Sequence, residues 1–318
     1  MSLSISNWSR LARELAPLLL LALLILLVGV LNPSFLSPDT LLVLLADTAT
    51  LFVLAAGVAF VIILGGIDLS IQSVASLASV LIALQLPAMG RWAFPITFAF
   101  GLLAGAISGL VHVGLRIPSF IATLATSGVF SAAALVLAQG HSITIGEQGR
   151  QLFVWVTGRS LGIPNVVIIG VLVAASCAAI QRYTHFGRYS LAIGAGEQAA
   201  LASGIPVDRF KVFAFALSGG LASLAGILLA GRLSSGSPTL ANELLLPSIA
   251  AVVVGGTAIT GGSGGALRTA VGALIISVVR IGMTFLGVNI FAQQIVFGIV
   301  LILAVAITMD RIRVLVVK

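Results

Sequence analysis

Residues 49–70 read Ala49-Thr50-Leu51-Phe52-Val53-Leu54-Ala55-Ala56-Gly57-Val58-Ala59-Phe60-Val61-Ile62-Ile63-Leu64-Gly65-Gly66-Ile67-Asp68-Leu69-Ser70. Between Asp47 and Asp68 no side chain carries a charge, which supplies the run of about 20 apolar residues that a helix needs to cross a bilayer core. The apolar character continues past Asp68 to about residue 87, so residues 44–87 are too long for one crossing. Only Gly65-Gly66-Ile67-Asp68-Leu69-Ser70 interrupts them. Glycine admits backbone conformations closed to other residues, and the pair predicts a break between two membrane helices, 43–65 and 69–87. Asp68 or Ser70 then stands where a side chain can cap the next helix. A second reading makes Gly65, Gly66, Asp68 and Ser70 part of a pathway or gate, because irregular backbone at membrane depth survives only when buried or facing water.

Composition extends this reading to the whole chain. The 318 residues are 59% hydrophobic and 8% charged, with a mean hydropathy of +1.22. A soluble surface needs about 25% charged residues, so most of the outer surface must face membrane lipid. Divided at charges, prolines and glycine clusters, the chain gives spans at 16–31, 43–65, 69–87, 93–115, 118–139, 163–180, 210–230, 244–260, 266–287 and 292–308. The expectation is an all-α, multi-pass membrane protein of about ten helices forming a single domain, 1–318. The first apolar run follows Arg10 and Arg13 but has no small-x-small cleavage site after it, and reads as a retained helix.

The positive-inside rule sets the orientation. With the N-terminus in the cytoplasm, Arg10, Arg13, Arg116, Arg182, Arg188, Arg209, Lys211, Arg268, Arg311, Arg313 and Lys318 fall inside. Only Arg91, Arg150, Arg159 and Arg232 fall outside, and Arg280 lies within a span. Losing one span would scramble this partition, so ten spans with both termini cytoplasmic fit best. The formal charge of +7 is scattered singly between apolar spans, with no basic stripe, which argues against nucleic acid as a partner.

Catalytic signatures are missing. No G-x-x-x-x-G-K-[ST] phosphate loop occurs, and the glycine-rich run from Gly255 to Gly265 lacks the lysine, so it reads as a tight inside turn. His112, His141 and His185 fit no metal-ligand spacing. Cys177, the one cysteine, allows neither an internal disulfide nor a cysteine metal cluster.

Two hydrophilic segments stand out: an outside loop at 140–162 and an inside loop at 181–209. The inside loop holds a short helical stretch, Glu197-Gln198-Ala199-Ala200-Leu201-Ala202-Ser203, ended by Gly204 and Pro206. Its small apolar positions would present a shallow face, suited to docking a partner or equally to a plain connector. Gly101, Gly105 and Gly109 make two G-x-x-x-G steps on one helix face, for close packing within the protomer or for a dimer seam. An intramembrane charge is costly, so Arg280 faces either a pathway or a structural partner. Asp47 and Glu243 read as interfacial. Asn242, Gln293 and Gln294 can hydrogen-bond a polar solute or another helix.

Several of these motifs together resemble a known family. They are Gly65-Gly66-Ile67-Asp68-Leu69-Ser70; Arg116-Ile117-Pro118-Ser119-Phe120-Ile121-Ala122-Thr123-Leu124; and Phe186-Gly187-Arg188-Tyr189 with Ala192-Ile193-Gly194. Ala199-Ala200-Leu201-Ala202-Ser203-Gly204-Ile205-Pro206-Val207 and Ala250-Ala251-Val252-Val253-Val254-Gly255-Gly256-Thr257 complete the set. In order and spacing, over about residues 40–308, they resemble the ribose/xylose-type permease subunits of bacterial ABC importers. The resemblance implies a multi-pass subunit of the bacterial inner membrane that catalyses nothing. It would form the path for a monosaccharide or similar polar solute. Two such subunits, a second copy or a paralogue, would assemble with cytoplasmic ABC ATPase subunits and a periplasmic sugar-binding protein. The ATPase would use ATP and Mg²⁺, and this chain would hold no cofactor and no metal.

Residues 194–205 would be the coupling helix seated on the ATPase, with Gly194, Glu197, Ala199, Ala200, Ser203, Gly204, Ile205 and Pro206 as its candidate residues. Gly65, Gly66, Asp68, Ser70, Arg280 and Asn242 are the candidates for the pathway. Two places depart from the family pattern. Many members have Asn where this chain reads Ala195 or Gly196, and Arg in the glycine turn where it reads Ser263. The alternative, an ion-gradient-driven secondary transporter, calls for inverted repeats and paired midplane charges. No convincing repeat is seen, and Arg280 alone sits well inside a span.

Overall fold

The computed structural model describes residues 3–308. Arg311, Arg313 and Lys318 lie outside the described residues, as do the side chains of Arg10 and Arg13. The chain is helical almost throughout. Its helices are α1 (Leu3–Leu31), α2 (Pro38–Ile63), α3 (Ile71–Met89), α4 (Ala93–Leu115), α5 (Ser119–Leu137), α6 (Glu147–Leu152) and α7 (Val154–Thr157), followed by α8 (Asn165–Tyr183), α9 (His185–Ala195), α10 (Glu197–Ala202), α11 (Val207–Leu233), α12 (Leu245–Val254), α13 (Ala266–Phe285) and α14 (Ile290–Thr308). Two-residue strands form two antiparallel pairs, β1 (Ile143–Thr144) with β4 (Ser235–Gly236) and β2 (Arg159–Ser160) with β3 (Ile163–Pro164).

Among the described residues, six helical segments are long and apolar enough to cross a membrane. One of them, Ile71–Leu115, is divided into α3 and α4 by a 3₁₀ turn at Gly90–Trp92. Shorter apolar helices occupy Pro17–Leu31, Asn242–Val254 and Ala292–Val305.

Two expectations need correction. The span expected at 244–260 is helical only to Val254. Gly255 packs its backbone against the carbonyl of Arg268, and Gly256 has φ +94°, a conformation that ends a helix and favours glycine. A full-length helix is therefore replaced by a ten-residue helix followed by a non-helical segment, 255–265. The expected outside loop, 140–162, is in fact folded. It carries α6, α7 and two short strands, and it buries Phe153 and Val156.

Helix α2 is the hub of the bundle and touches α8, α11, α12 and α13. From Leu51 to Ile63 its side chains are at most 3% exposed, so a helix that is apolar all round is also buried all round, as expected. Helix α11 lies along α4 on the Gly101/Gly105/Gly109 face. A Cβ at Gly105 would strike the carbonyl of Phe215, and one at Gly219 would strike the backbone of Gly101 and Gly105. Absent side chains let these backbones meet, so the glycine face packs inside the protomer.

A second seam was not recognised in the sequence. Ser70, Ser73, Ser76 and Ser79 recur every third residue, and all four are buried. The Ser76 hydroxyl accepts the N–H of Ala241, and the Ser79 hydroxyl donates to the carbonyl of Ser237. The i, i+3 spacing was the available signal. It lets α3 hold segment 234–244 against the interior while satisfying backbone groups that lipid could not.

Candidate functional site

The site begins where α2 stops. Residues 64–70 form a non-helical turn before α3, with Gly65 at φ +82°. Several of its backbone donors are paired. Gly65 and Gly66 N–H return to the carbonyls of Ile62 and Val61, Ile67 N–H goes to Ser119 Oγ at 3.0 Å, and Leu69 N–H goes to Thr123 Oγ1 at 3.0 Å. Both hydroxyls belong to the first turns of α5, within the Ser119–Leu124 part of the second motif. The two motifs are thus two sides of one joint.

Asp68 is fully buried behind this turn. Its Oδ1 accepts from the N–H of Ser70 at 2.9 Å and the hydroxyl of Ser70 at 2.6 Å, while Oδ2 accepts from the hydroxyl of Ser218 on α11 at 2.8 Å. Ser70 occupies the cap position of α3, but its side chain caps nothing; it serves Asp68. The carboxylate orders the chain locally and ties α3 to α11. These hydrogen bonds satisfy a buried carboxyl group that would otherwise be costly.

Three backbone segments converge beside the turn. The carbonyl of Ile63 accepts the N–H of Gly262 at 2.9 Å. Gly194, at the end of α9, lies so close that a Cβ there would strike both the Ile63 carbonyl and Gly262 N. A Cβ on Gly262 would come within 2.8 Å of Ala195. Ala195, at the α9–α10 corner, and the 261–263 turn therefore lie against one another. The close approach is made by the glycines Gly194 and Gly262, whereas Ala195 and Ser263 are exposed.

Helix α10 projects from this junction. Ala200 is buried and anchors it, whereas Glu197, Gln198, Ala199, Leu201, Ala202 and Ser203 are exposed. Gly204, at φ +79°, turns the chain and Pro206 precedes α11; Ile205 is half-buried and returns its N–H to the carbonyl of Ala200. Of the expected coupling residues, Glu197, Ala199 and Ser203 belong to the outward face. Gly194 and Ala200 belong to the packing beneath it. Leu201, 47% exposed, was not singled out from the sequence, although a lone large apolar residue between alanines was the signal. Glu197 pairs with Lys211 of α11 at 2.7 Å.

Between α10, the broken turn and the start of α5 lies a cavity of about 280 Å³. Gly65, Gly66, Ser119, Phe120, Glu197 and Lys211 are among its lining residues.

The remaining candidates stand apart. Asp47 of α2 is 16 residues before Ile63, roughly 24 Å along the helix axis. One of its oxygens takes Arg232 of α11 and the other takes Arg280 of α13 at 2.8 Å. Arg232 also reaches Thr50 Oγ1 at 3.1 Å. Arg280 is thus one arm of a three-helix ion cluster, and Asp47, expected to be interfacial, is its centre. Asn242 is exposed in a 3₁₀ turn, Asn242–Leu244, before α12. Among the described residues no group of three or more His, Cys, Asp and Glu is placed to hold a metal ion.

Residues 40–305 match the family described as the branched-chain amino acid transport system permease component. The ribose import permease protein RbsC of Bacillus subtilis is 41% identical over 92% of both chains. That of Haemophilus influenzae is 38% identical over 90% of both. The L-arabinose ABC transporter permease protein AraH of Azospirillum brasilense is 35% identical over 86% of this chain and 80% of its own. No solved structure matches. A joint built from motifs that the sequence scatters over two hundred residues, on a scaffold of long apolar helices, agrees with the extent of that match: the chain belongs to this family of ABC transporter permeases, as a multi-pass membrane subunit and not an enzyme.

Proposed function

We propose that this permease carries a monosaccharide, an aldopentose such as ribose or arabinose, across the bacterial inner membrane. A periplasmic binding protein delivers the sugar, and a cytoplasmic ATPase that uses ATP and Mg²⁺ drives transport. In this reading the α10 end of the bundle is cytoplasmic, both termini share that side, and the chain crosses about ten times, α12 with the 255–265 segment counting as one passage. Two permease subunits, identical or paralogous, complete the conduit. The ribose and arabinose named for the relatives support the substrate class.

One observation carries the mechanism. The exposed face of α10 is tied, through Gly194, Ile63 and Gly262, to the broken end of the most buried helix. A sugar brings many hydroxyls, and each buried without a partner costs about 2 kcal/mol or more, so the path must alternate between two hydrated openings. Movement of α10 on the ATPase surface reaches the 64–70 turn by direct backbone contact. That contact lets a closing ATPase bias two packed states of the bundle.

The test is reconstitution of the permease, its ATPase and its binding protein in vesicles, with labelled D-ribose, L-arabinose and D-xylose. Uptake that requires ATP and the loaded binding protein is expected. Accumulation under a proton or sodium gradient, with no ATPase present, would overturn the reading.

A further inference from the structure

The cavity beneath α10 is lined by groups suited to binding. Glu197 supplies a carboxylate, Lys211 an ammonium and Ser119 a hydroxyl. His112 also lines it, and its Nδ1 lies 2.6 Å from the carbonyl of Ile117. Facing a carbonyl, Nδ1 is the donor, and the other ring nitrogen is an acceptor in the neutral imidazole and a donor in the protonated one. Phe120 and Phe215 complete the apolar wall, and the His112 and Phe215 rings meet edge to face at 5.8 Å. Apolar walls with a few convergent polar groups are typical of small-molecule sites.

Three properties narrow the ligand. The volume, about 280 Å³, lies just under the roughly 300 Å³ at which drug-sized pockets begin, which suits a single sugar ring. The charged groups are one anion and one cation paired at 2.7 Å, so the site has no net charge to attract an anion. Donors and acceptors nevertheless stand side by side, as vicinal hydroxyls require, and an aromatic wall faces them.

We propose that this cavity is a monosaccharide subsite within one protomer, on the coupling side of the broken turn, in which sugar hydroxyls bridge Glu197, Lys211 and Ser119. The proposal rests on the import reading above. Because Glu197 is the first residue of α10, a sugar held here touches the element that meets the ATPase. The subsite therefore reports whether the exit side is loaded.

The test uses the permease–ATPase complex in inside-out vesicles. Pro118→Cys, on the exposed rim of the cavity, is modified with a membrane-impermeant maleimide, with the unsubstituted chain and its buried Cys177 as the blank. D-ribose, L-arabinose or D-xylose, whichever is imported, should slow modification at least fivefold. Lys211→Met should abolish that protection. Ile67→Cys, half-buried on the same cavity, serves as the second reporter should Pro118→Cys fail to assemble. Absence of protection at the reporter that assembles, while the same sugar is taken up by the full complex, overturns the subsite and leaves the import reading standing. Protection by L-leucine and by no sugar also overturns it. Failure of all sugar uptake strikes the import reading itself and is read separately.

Discussion

The N–H of Gly262 donates to the carbonyl of Ile63 at 2.9 Å, joining the glycine turn before α13 to the last residue of α2, about two hundred residues earlier in the chain. That carbonyl is available because α2 ends there, one residue short of the Gly65–Gly66 break. With Gly194 pressed against both groups, a displacement of the α9–α10 corner has no slack before it reaches the core. Close-packed interiors transmit such shifts instead of absorbing them.

Gly194→Val should uncouple the transporter. Its side chain would collide with backbone on two sides, and forced overpacking costs about 1–3 kcal/mol. The outward face of α10 is untouched, so the ATPase should still co-purify while ATP-driven uptake falls at least tenfold. Wild-type uptake by Gly194→Val would refute the role of this contact.

Leu201→Glu tests the surface instead of the joint. Leu201 is 47% exposed, and a surface change of this kind alters folding stability by about 0.5 kcal/mol at most. Yield and melting temperature of the isolated permease should hold, and recovery of the ATPase in pull-downs should drop about tenfold, which is roughly 1.4 kcal/mol of binding. Undiminished recovery would place the docking surface elsewhere.

Asp47→Asn should be the most damaging change in the ion cluster. It leaves Arg232 and Arg280 facing each other with no carboxylate between them. Removing a partner from a buried pair costs about 3–5 kcal/mol, and the quarter exposure of these side chains lowers this to about 1–3 kcal/mol. Arg280→Met should cost less, since Asp47 keeps Arg232. Thermal unfolding in detergent should rank wild type above Arg280→Met and Arg280→Met above Asp47→Asn; the reverse order of the two variants would contradict the shared-carboxylate arrangement.

Gly105→Leu should separate α4 from α11. No rotamer escapes the Phe215 carbonyl, so the helices must move apart along the seam. A loss of about 2 kcal/mol or more is expected, at about 2–4 °C per kcal/mol in melting temperature for a chain of this size class. Gly114→Leu on the same helix has open space around it and should melt as wild type.

Much of the site was legible one motif at a time. The Gly65–Ser70 break, the α10 stretch and its stop at Gly204 follow from local chemistry: glycines at positive φ, a small-residue helix and a proline where the next helix begins. Arg280 was legible as costly, because a charge between Val279 and Ile281 must find a partner. Its partner was not, since Asp47 lies 233 residues away and looks like any interfacial acid. The serine ladder of α3 was overlooked because isolated serines in an apolar run carry no strong signal until their i, i+3 spacing is counted. The early end of α12 was not legible, because hydropathy measures apolar length and is blind to Gly256 at φ +94°.

By itself the sequence determined the solvent of this protein and the unit of its architecture. With 8% charged residues its surface must meet lipid, and in lipid the backbone of each crossing must satisfy its own hydrogen bonds, which selects helices. Tertiary structure alone decided which helix is central, which glycines face each other and which charges pair. Those outcomes depend on side-chain shape across contacts hundreds of residues apart, where apolar helices offer lipid and protein nearly the same environment and only close packing discriminates between them.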